Sequence, residues 1–410
     1  MRRQTGQDQT ASGAECVGAI VIIGPLQVVS MVPRLYLLPF AAFLTSLCLP
    51  LVAMADAPAP PPVAAHAWLL MDAVSGQMLA SQAEHERAEP ASLTKLMTAY
   101  LTFAALKGKT LQLAQPVPVS ERASRAEGSR MFIEPQKPVT VDELLHGMIV
   151  QSGNDACIAL AEAIAGSEDV FAQMMNREAQ RLGMKDTNFV NSTGLSNPKH
   201  YSSASDLGLL AAAVIRDFPE YYRYYSIREY RYNNISQPNR NRLLWLDPNI
   251  DGLKTGHTEN AGYCLIASAK RGPRRLLSVV LGAASESVRA QESQKLLNFG
   301  FQSYDSARLY EKGQAVSAVQ VWKGSERMLK AGVAGDLSVS VPKGMIDKVK
   351  AALVSQQPLL APISVGQRVG TLRVTLEAKQ IGEYPVVALE NVAVAGMFGR
   401  AWDTMRLWFQ

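Results

Sequence analysis

Two residue types at a short spacing set the chemistry this chain can perform: Ser92 and Lys95, in Ser92-Leu93-Thr94-Lys95. A serine alcohol is a poor nucleophile until a base removes its proton, and a three-residue spacing on a helix puts the two side chains on one face. Lys95 can act as that base only when neutral, a state favoured by burial and by a second cation nearby. Lys254, in Lys254-Thr255-Gly256, is the expected neighbour. The same Ser-x-x-Lys pattern recurs at Ser196-Asn197-Pro198-Lys199 and Ser340-Val341-Pro342-Lys343, but each copy holds a proline that forbids helical juxtaposition. Only the copy at Ser92 falls at a predicted helix start. It alone is followed in order by Ser152-Gly153-Asn154 and by Lys254-Thr255-Gly256. Together the three motifs point to acyl transfer through a serine ester.

Elements able to position these groups are legible around them. Apolar runs at 67–72 and 77–81, separated by Val74-Ser75-Gly76, predict a β-hairpin. Leu96, Met97, Tyr100, Leu101 and Ala104 keep helical spacing behind Pro90 and Ser92, the latter able to cap. Thr140-Val141-Asp142-Glu143 is a capping box that launches a second helix toward Gln151, stopped at Ser152-Gly153. A third helix follows Asn154 with Ile158, Leu160, Ala161 and Ile164 inward, and helical sequence resumes over 170–182. Strand sequence returns at 252–256, 263–268 and 276–281, punctuated by Asn260-Ala261-Gly262 and Arg271-Gly272-Pro273, and a helix over 289–299 closes the unit. Strands at both ends of a helical middle describe an α+β architecture with an antiparallel sheet.

Beyond about residue 304 the chain turns Val/Ala/Gly-rich and alternating, at 315–321, 337–341, 368–376 and 385–389, which predicts a small all-β domain. The last segment, 393–410, gathers Val394, Met397, Phe398, Ala401, Trp402, Met405, Trp408 and Phe409 mostly on one side of a helix, with Arg400, Asp403 and Arg406 elsewhere. Such a helix lies in a membrane interface or docks on the protein's own surface, and the paired Trp and basic residues favour the membrane.

Composition narrows the classes. A chain of 410 residues, 48% hydrophobic and 19% charged, forms about two or three globular units with sizeable cores. A net charge of +5 without a Lys/Arg block excludes a nucleic-acid tail. The Tyr/Arg-rich stretch at 221–232 has no companion nucleic-acid motif and reads as a helix end followed by a strand, so no nucleic acid is expected as a partner. None of the five histidines forms a His-x-x-x-His pair and no Cys/His ligand spacing exists, so neither metal nor cofactor is expected.

Arg34, the apolar run 35–52, Ala53-Met54-Ala55 and a Pro-rich stretch at 56–63 form a signal-peptide pattern, with the mature chain expected to begin near Asp56 and translation at Met31. An uncleaved anchor helix is the alternative, and in both cases the body is exported. Cys16 and Cys48 would leave with the leader, while Cys157 and Cys264 read as buried thiols.

The three motifs resemble the active site of penicillin-binding proteins and serine β-lactamases. Within that group, Ser92-Leu93-Thr94-Lys95-Leu96-Met97-Thr98, Ser152-Gly153-Asn154-Asp155-Ala156-Cys157, Ser202-Ser203-Ala204-Ser205-Asp206, Asn239-Arg240-Asn241 and Asp251-Gly252-Leu253-Lys254-Thr255-Gly256-His257-Thr258 resemble low-molecular-weight D-alanyl-D-alanine carboxypeptidases of the penicillin-binding protein 5 and 6 type. The likeness runs from about residue 65 to the C-terminus. It implies an upstream segment and signal peptide over 1–55, and a transpeptidase-like catalytic domain over 65–304 with a five-stranded antiparallel sheet. A β domain over 305–392 and an anchoring helix over 393–410 on the periplasmic face of the inner membrane would follow.

The resemblance also implies roles. Ser92 would attack the bond between the terminal D-alanines of a peptidoglycan stem peptide, and β-lactams would acylate it. Lys95 would take its proton, Ser152 and Lys254 would relay one to the departing D-alanine, and Asn154 would bond the substrate amide. The N–H groups of Ser92 and His257 would form the oxyanion hole. Thr255 and Arg240 would receive the terminal carboxylate beside Gly256, with Asp206 orienting Arg240 and Arg289 a further candidate. A β-lactamase would need a deacylating base such as a loop glutamate, for which no counterpart stands out. A DD-endopeptidase would use the same residues, and a scaffold with a vestigial site is opposed by the intact Ser92, Lys95, Ser152 and Lys254.

Overall fold

Residues 58–408 are described in the computed structural model of this chain. The leader and Cys16 and Cys48 lie outside the described residues, as does Phe409. Strands β1 (Ala67–Asp72), β2 (Met78–Gln82), β3 (Ile250–Thr258), β4 (Gly262–Arg271) and β5 (Arg274–Ala283) form one antiparallel sheet in the order β2-β1-β5-β4-β3. Both faces are covered, which explains why β1 is apolar from Ala67 to Met71 rather than alternating. Along β5, Leu276 and Val280 face one apolar cluster, while Leu277, Val279 and Leu281 face another. The period of two thus divides a single strand between two cores.

The larger core belongs to the helical middle. Helix α1 (Lys95–Lys107) is buried on nearly every side, as expected of a helix that is apolar all round. Around it lie α2 (Glu121–Ser124), α3 (Val141–His146), α4 (Asn154–Ala165), α5 (Glu168–Leu182) and α6 (Ala204–Asp217). The Thr140 capping box forms as expected, its hydroxyl accepting from Glu143 N while the Glu143 carboxylate accepts from Thr140 N. The helix then widens into a π turn over Gly147–Gln151 and stops where Ser152 adopts a left-handed φ of 69°. Helix α7 (Glu286–Ser303) covers the opposite face of the sheet through Leu296 and Leu297.

Ser92 departs from its expected capping role. A 3-10 turn, Ala91–Thr94, precedes α1, and neither its own N-terminus nor that of α1 has a side-chain cap. The hydroxyl is left for other partners. In the 221–232 stretch Tyr222, Tyr224 and Tyr225 are buried, so the rings pack the core instead of presenting a stacking platform.

The C-terminal part contains β6 (Tyr304–Tyr310), β7 (Ala315–Gln320), β8 (Met328–Val333), β9 (Leu337–Pro342), β10 (Val349–Ser355), β11 (Arg368–Leu376) and β12 (Lys379–Ala388). Five of them form a sheet in the order β7-β8-β12-β11-β10, and β6 pairs with β9. Val339, Val369, Leu372, Val374 and Val386 fill its core. Ser340 Oγ donates to buried Asp72 at 2.7 Å and Tyr304 donates to the Leu79 carbonyl at 2.8 Å, tying this part to the β1–β2 hairpin. The Ser-x-x-Lys copy at Ser340 is thereby a junction on a strand.

Helix α8 (Met397–Leu407) bonds back through Asp403, which accepts from Lys323 N at 2.6 Å. Its Met397, Phe398 and Trp402, and Trp408 just beyond it, remain exposed. Among the described residues no helix is long and apolar enough to cross a membrane.

The capping box supplies a stability test. Thr140→Ala should lower the unfolding free energy by about 1 kcal/mol, read as a lower denaturant midpoint at unchanged slope; an unmoved midpoint would remove the box from the forces holding α3.

Candidate active site

The nucleophile's turn is set by its neighbours. Ala91 has a φ of 48°, unusual for a residue with a side chain, and its carbonyl lies against Gly194. A Cβ at Gly194 would sit 1.8 Å from that oxygen, so only glycine permits this approach. Edge strand β3 closes on the same turn, Gly256 lying where a Cβ would meet the Pro90 carbonyl at 3.0 Å.

Lys95, 1% exposed, places Nζ 3.0 Å from Ser92 Oγ, 2.6 Å from Asn154 Oδ1 and 2.6 Å from the Thr193 carbonyl. The last two only accept. Asn154 is held in that sense because its Nδ2 donates to the Glu127 carbonyl at 2.6 Å. A neutral amine therefore spends both N–H groups on Asn154 and Thr193, and its lone pair faces the one partner able to donate, the Ser92 hydroxyl. Burial pushes the Lys95 pKa below the usual lysine range, and the Arg240 charge adds to this.

Lys254 is also buried and is held well below the usual range, first by burial and then by the charges of Lys95 and Arg240. The expected influence of Lys254 on Lys95 is not found: Lys95 acts on Lys254, whereas the neighbouring cation that lowers Lys95 is Arg240. Lys254 Nζ donates to the Thr255 carbonyl at 2.9 Å. Ser92, Ser152, Arg240, Thr255, Gly256, His257 and Arg289 line one cleft of ≈ 260 Å³.

Two cations there differ in employment. Arg240 is exposed and donates from Nε to the Gln151 carbonyl at 3.2 Å. Arg289 is 4% exposed and donates from Nη1 to the Gly256 carbonyl at 3.1 Å while Nη2 meets Glu286 at 3.2 Å. The expectation that Asp206 orients Arg240 is not met. The Asp206 carboxylate accepts from Asp186 N and from the Thr187 hydroxyl, both at 2.7 Å, at the start of α6. The Ser203-Ala204-Ser205-Asp206 pattern explains it: Ser203 Oγ caps α6 by accepting from Asp206 N at 3.2 Å.

Several members of the site carry no side-chain signature. Thr193 and Glu127 contribute only carbonyls to it, and Ser129, Tyr263 and Glu286 complete the lining of the cleft. Asp155, next to Asn154, is buried and accepts from the N–H groups of Met131, Phe132 and Ala156, fixing the 120–130 loop above α4.

The matches to known proteins agree with this geometry. A family model described as D-alanyl-D-alanine carboxypeptidase matches residues 54–285, and one described as penicillin-binding protein 5, C-terminal domain, matches residues 304–394. The chain belongs to the D-alanyl-D-alanine carboxypeptidase family. It is 44% identical to D-alanyl-D-alanine carboxypeptidase DacC of Escherichia coli (strain K12), over 85% of this chain and 89% of that protein. Its fold is similar to that of penicillin binding protein 5 from Haemophilus influenzae, with a TM-score of 0.77, 39% identity and coverage of 82% and 99% of the two chains. Penicillin-binding protein D2 from Listeria monocytogenes, solved in an ampicillin-bound form, matches with a TM-score of 0.55 and 30% identity over 60% of this chain and 100% of that one.

Against the carboxypeptidase family, two buried groups need placing. Cys157 is fully buried, its thiol pushed up to about 12 by burial, and both Cys157 and Cys264 are free thiols, as small core residues would be. Glu168 is buried near Lys95, but its Oε1 accepts from Ser192 N and Oγ and its Oε2 meets Arg122. Both its oxygens are thus engaged, which ties the carboxylate to the loop that carries Thr193.

The lone-pair geometry carries a pH prediction. Acylation by a fluorescent penicillin should rise with pH as Lys95 loses its proton and should level off below the ordinary lysine range. Lys95→Arg, which keeps charge but cannot surrender its proton, should lose acylation by at least ~10³; a fast Lys95→Arg variant would mean the base lies elsewhere.

Proposed function

We propose that this chain is a serine-type D-Ala-D-Ala carboxypeptidase that removes the terminal D-alanine from peptidoglycan stem pentapeptides and is acylated by β-lactams at Ser92. The observation that carries the reading is the contact of Ser92 Oγ with a buried Lys95 whose two other partners can only accept.

In the first half-reaction the Ser92 oxygen attacks the penultimate D-alanine carbonyl as its proton passes to Lys95. The resulting oxyanion is received by the N–H groups of Ser92, at the start of a helical turn, and His257, on an edge strand. Collapse breaks the peptide bond, and Ser152 with Lys254 delivers the proton that D-alanine needs to leave. Asn154 serves twice, steadying Lys95 and meeting the substrate amide. Arg240 and the Thr255 hydroxyl take the terminal carboxylate, the guanidinium being exposed in the cleft and tied only through Nε. Water then enters and Lys95 acts as its base, releasing the shortened stem peptide.

The body is exported, and segment 393–410 holds it at the periplasmic face of the inner membrane. Supporting this is the unpartnered set Met397, Phe398, Trp402 and Trp408, on and just after a helix whose polar side holds Arg400 and Arg406.

Full-length protein should release D-alanine from a peptide ending in D-Ala-D-Ala, and its Ser92→Ala variant should not while keeping its melting temperature. Equal release by both would exclude Ser92 as the nucleophile. Removing residues 393–410 should move the protein from the membrane to the soluble fraction; continued attachment would assign the anchor to the leader.

A further inference from the structure

The Arg289 guanidinium is buried and already committed. Nη1 holds the Gly256 carbonyl at 3.1 Å, Nη2 meets Glu286 at 3.2 Å, and the plane lies 5.5 Å from the Tyr263 ring. Tyr263 in turn packs on the His257 ring at 4.0 Å and is the register partner of His257 on β4. The carbonyl that Arg289 grips is no ordinary strand carbonyl. Gly256 C=O and His257 N–H are the two ends of one peptide group, and a trans peptide is planar with these ends pointing in opposite directions. A group that fixes the carbonyl direction fixes the N–H direction. A cation on the carbonyl also draws electron density through the amide and makes the N–H a stronger donor. Edge strand β3 is paired on one side only, by β4, where Gly256 stands opposite Cys264, so the grip of Arg289 adds a second hold on this peptide plane.

We infer that Arg289 is a positioning residue for the oxyanion hole, orienting and polarising the His257 N–H through the Gly256 carbonyl instead of receiving the substrate carboxylate. This rests on the reading of His257 N–H as an oxyanion donor. Glu286 belongs to the same device, since its carboxylate holds Nη2 and leaves Nη1 aimed at the strand. The substrate carboxylate is then left to Arg240 and Thr255.

The decisive readout is the ester carbonyl stretch of the penicillin acyl-enzyme, recorded by isotope-edited infrared difference spectroscopy on the full chain. Hydrogen bonds to that oxygen lower the frequency. Arg289→Met should raise it, and Arg289→Lys, which restores a charge and one donor, should return it part of the way. Losing an oxyanion donor outright costs ~10²–10³ in kcat, so weakening one should cost about 10-fold in kcat with KM little changed. An unshifted band in Arg289→Lys and Arg289→Met together with a raised KM would overturn the inference and make Arg289 a carboxylate receptor.

His257→Pro separates this from the underlying reading, because proline removes the N–H and is tolerated on an edge strand. If His257→Pro keeps the wild-type band and rate, the oxyanion assignment itself is wrong. If it loses both while the Arg289 variants leave the band in place, only the role of Arg289 falls.

Discussion

A lysine ammonium taken out of water is among the costliest groups a core can hold, and the site is organised around holding Lys95 there. Its three contacts come from three parts of the chain: the turn before α1, the first residue of α4, and the loop carrying Thr193. Each contact needs its own support. Asn154 is fixed by Glu127, the 120–130 loop by Asp155, and the Thr193 loop by Glu168 through Ser192 and by the Gly194–Ala91 approach. The helical middle surrounds α1 so completely that Lys95 at its start is kept out of water.

That arrangement leaves an unbalanced field. Lys95 and Arg289 act on Lys254, Arg240 acts on Lys95, Lys254 and Arg289, and the carboxylate lining the cleft, Glu286, is bound to Arg289. Such a site favours a neutral lysine and also an anionic ligand, since each relieves the repulsion. A substrate ending in a carboxylate supplies the second, while burial remains to keep Lys95 neutral. Its arrival tempers the positive field, while water that would otherwise screen the cations is displaced.

How far the sequence discloses this depends on the kind of group involved. Ser92, Lys95, Ser152, Asn154 and Lys254 were legible because side-chain chemistry at fixed spacing leaves a pattern, and the capping box at Thr140 was legible for the same reason. The carbonyls of Thr193 and Glu127 were not, because any residue supplies a carbonyl and only the fold brings it to Lys95. Asp206 was misread for the opposite reason: an acidic residue four positions after Ser202 suggests chemistry, while Ser203-Ala204-Ser205-Asp206 also spells a helix start, and the helix claimed it. In the C-terminal part the clearly alternating strands were visible, but Val349–Ser355 exposes much of its length, so its pattern does not follow a buried face.

The contact between Lys95 and Ser92 also bears on why a β-lactam would arrest an enzyme that turns over its own substrate. On the proposed mechanism, once Ser92 is an ester the Lys95 lone pair would face the space the hydroxyl proton occupied, and a water arriving there would be deprotonated by the same amine that served the first step. With the natural substrate this space opens when D-alanine leaves. A β-lactam has no such fragment to lose, because the ring that opens stays joined to the acyl group. A second base would have to come from another direction, and of the two buried carboxylates that act on Lys95, Asp155 accepts from the N–H groups of Met131, Phe132 and Ala156 while Glu168 is engaged by Ser192 and Arg122. The hydrogen bonds that steady the loop of Thr193 against Lys95 are therefore also the ones that engage Glu168.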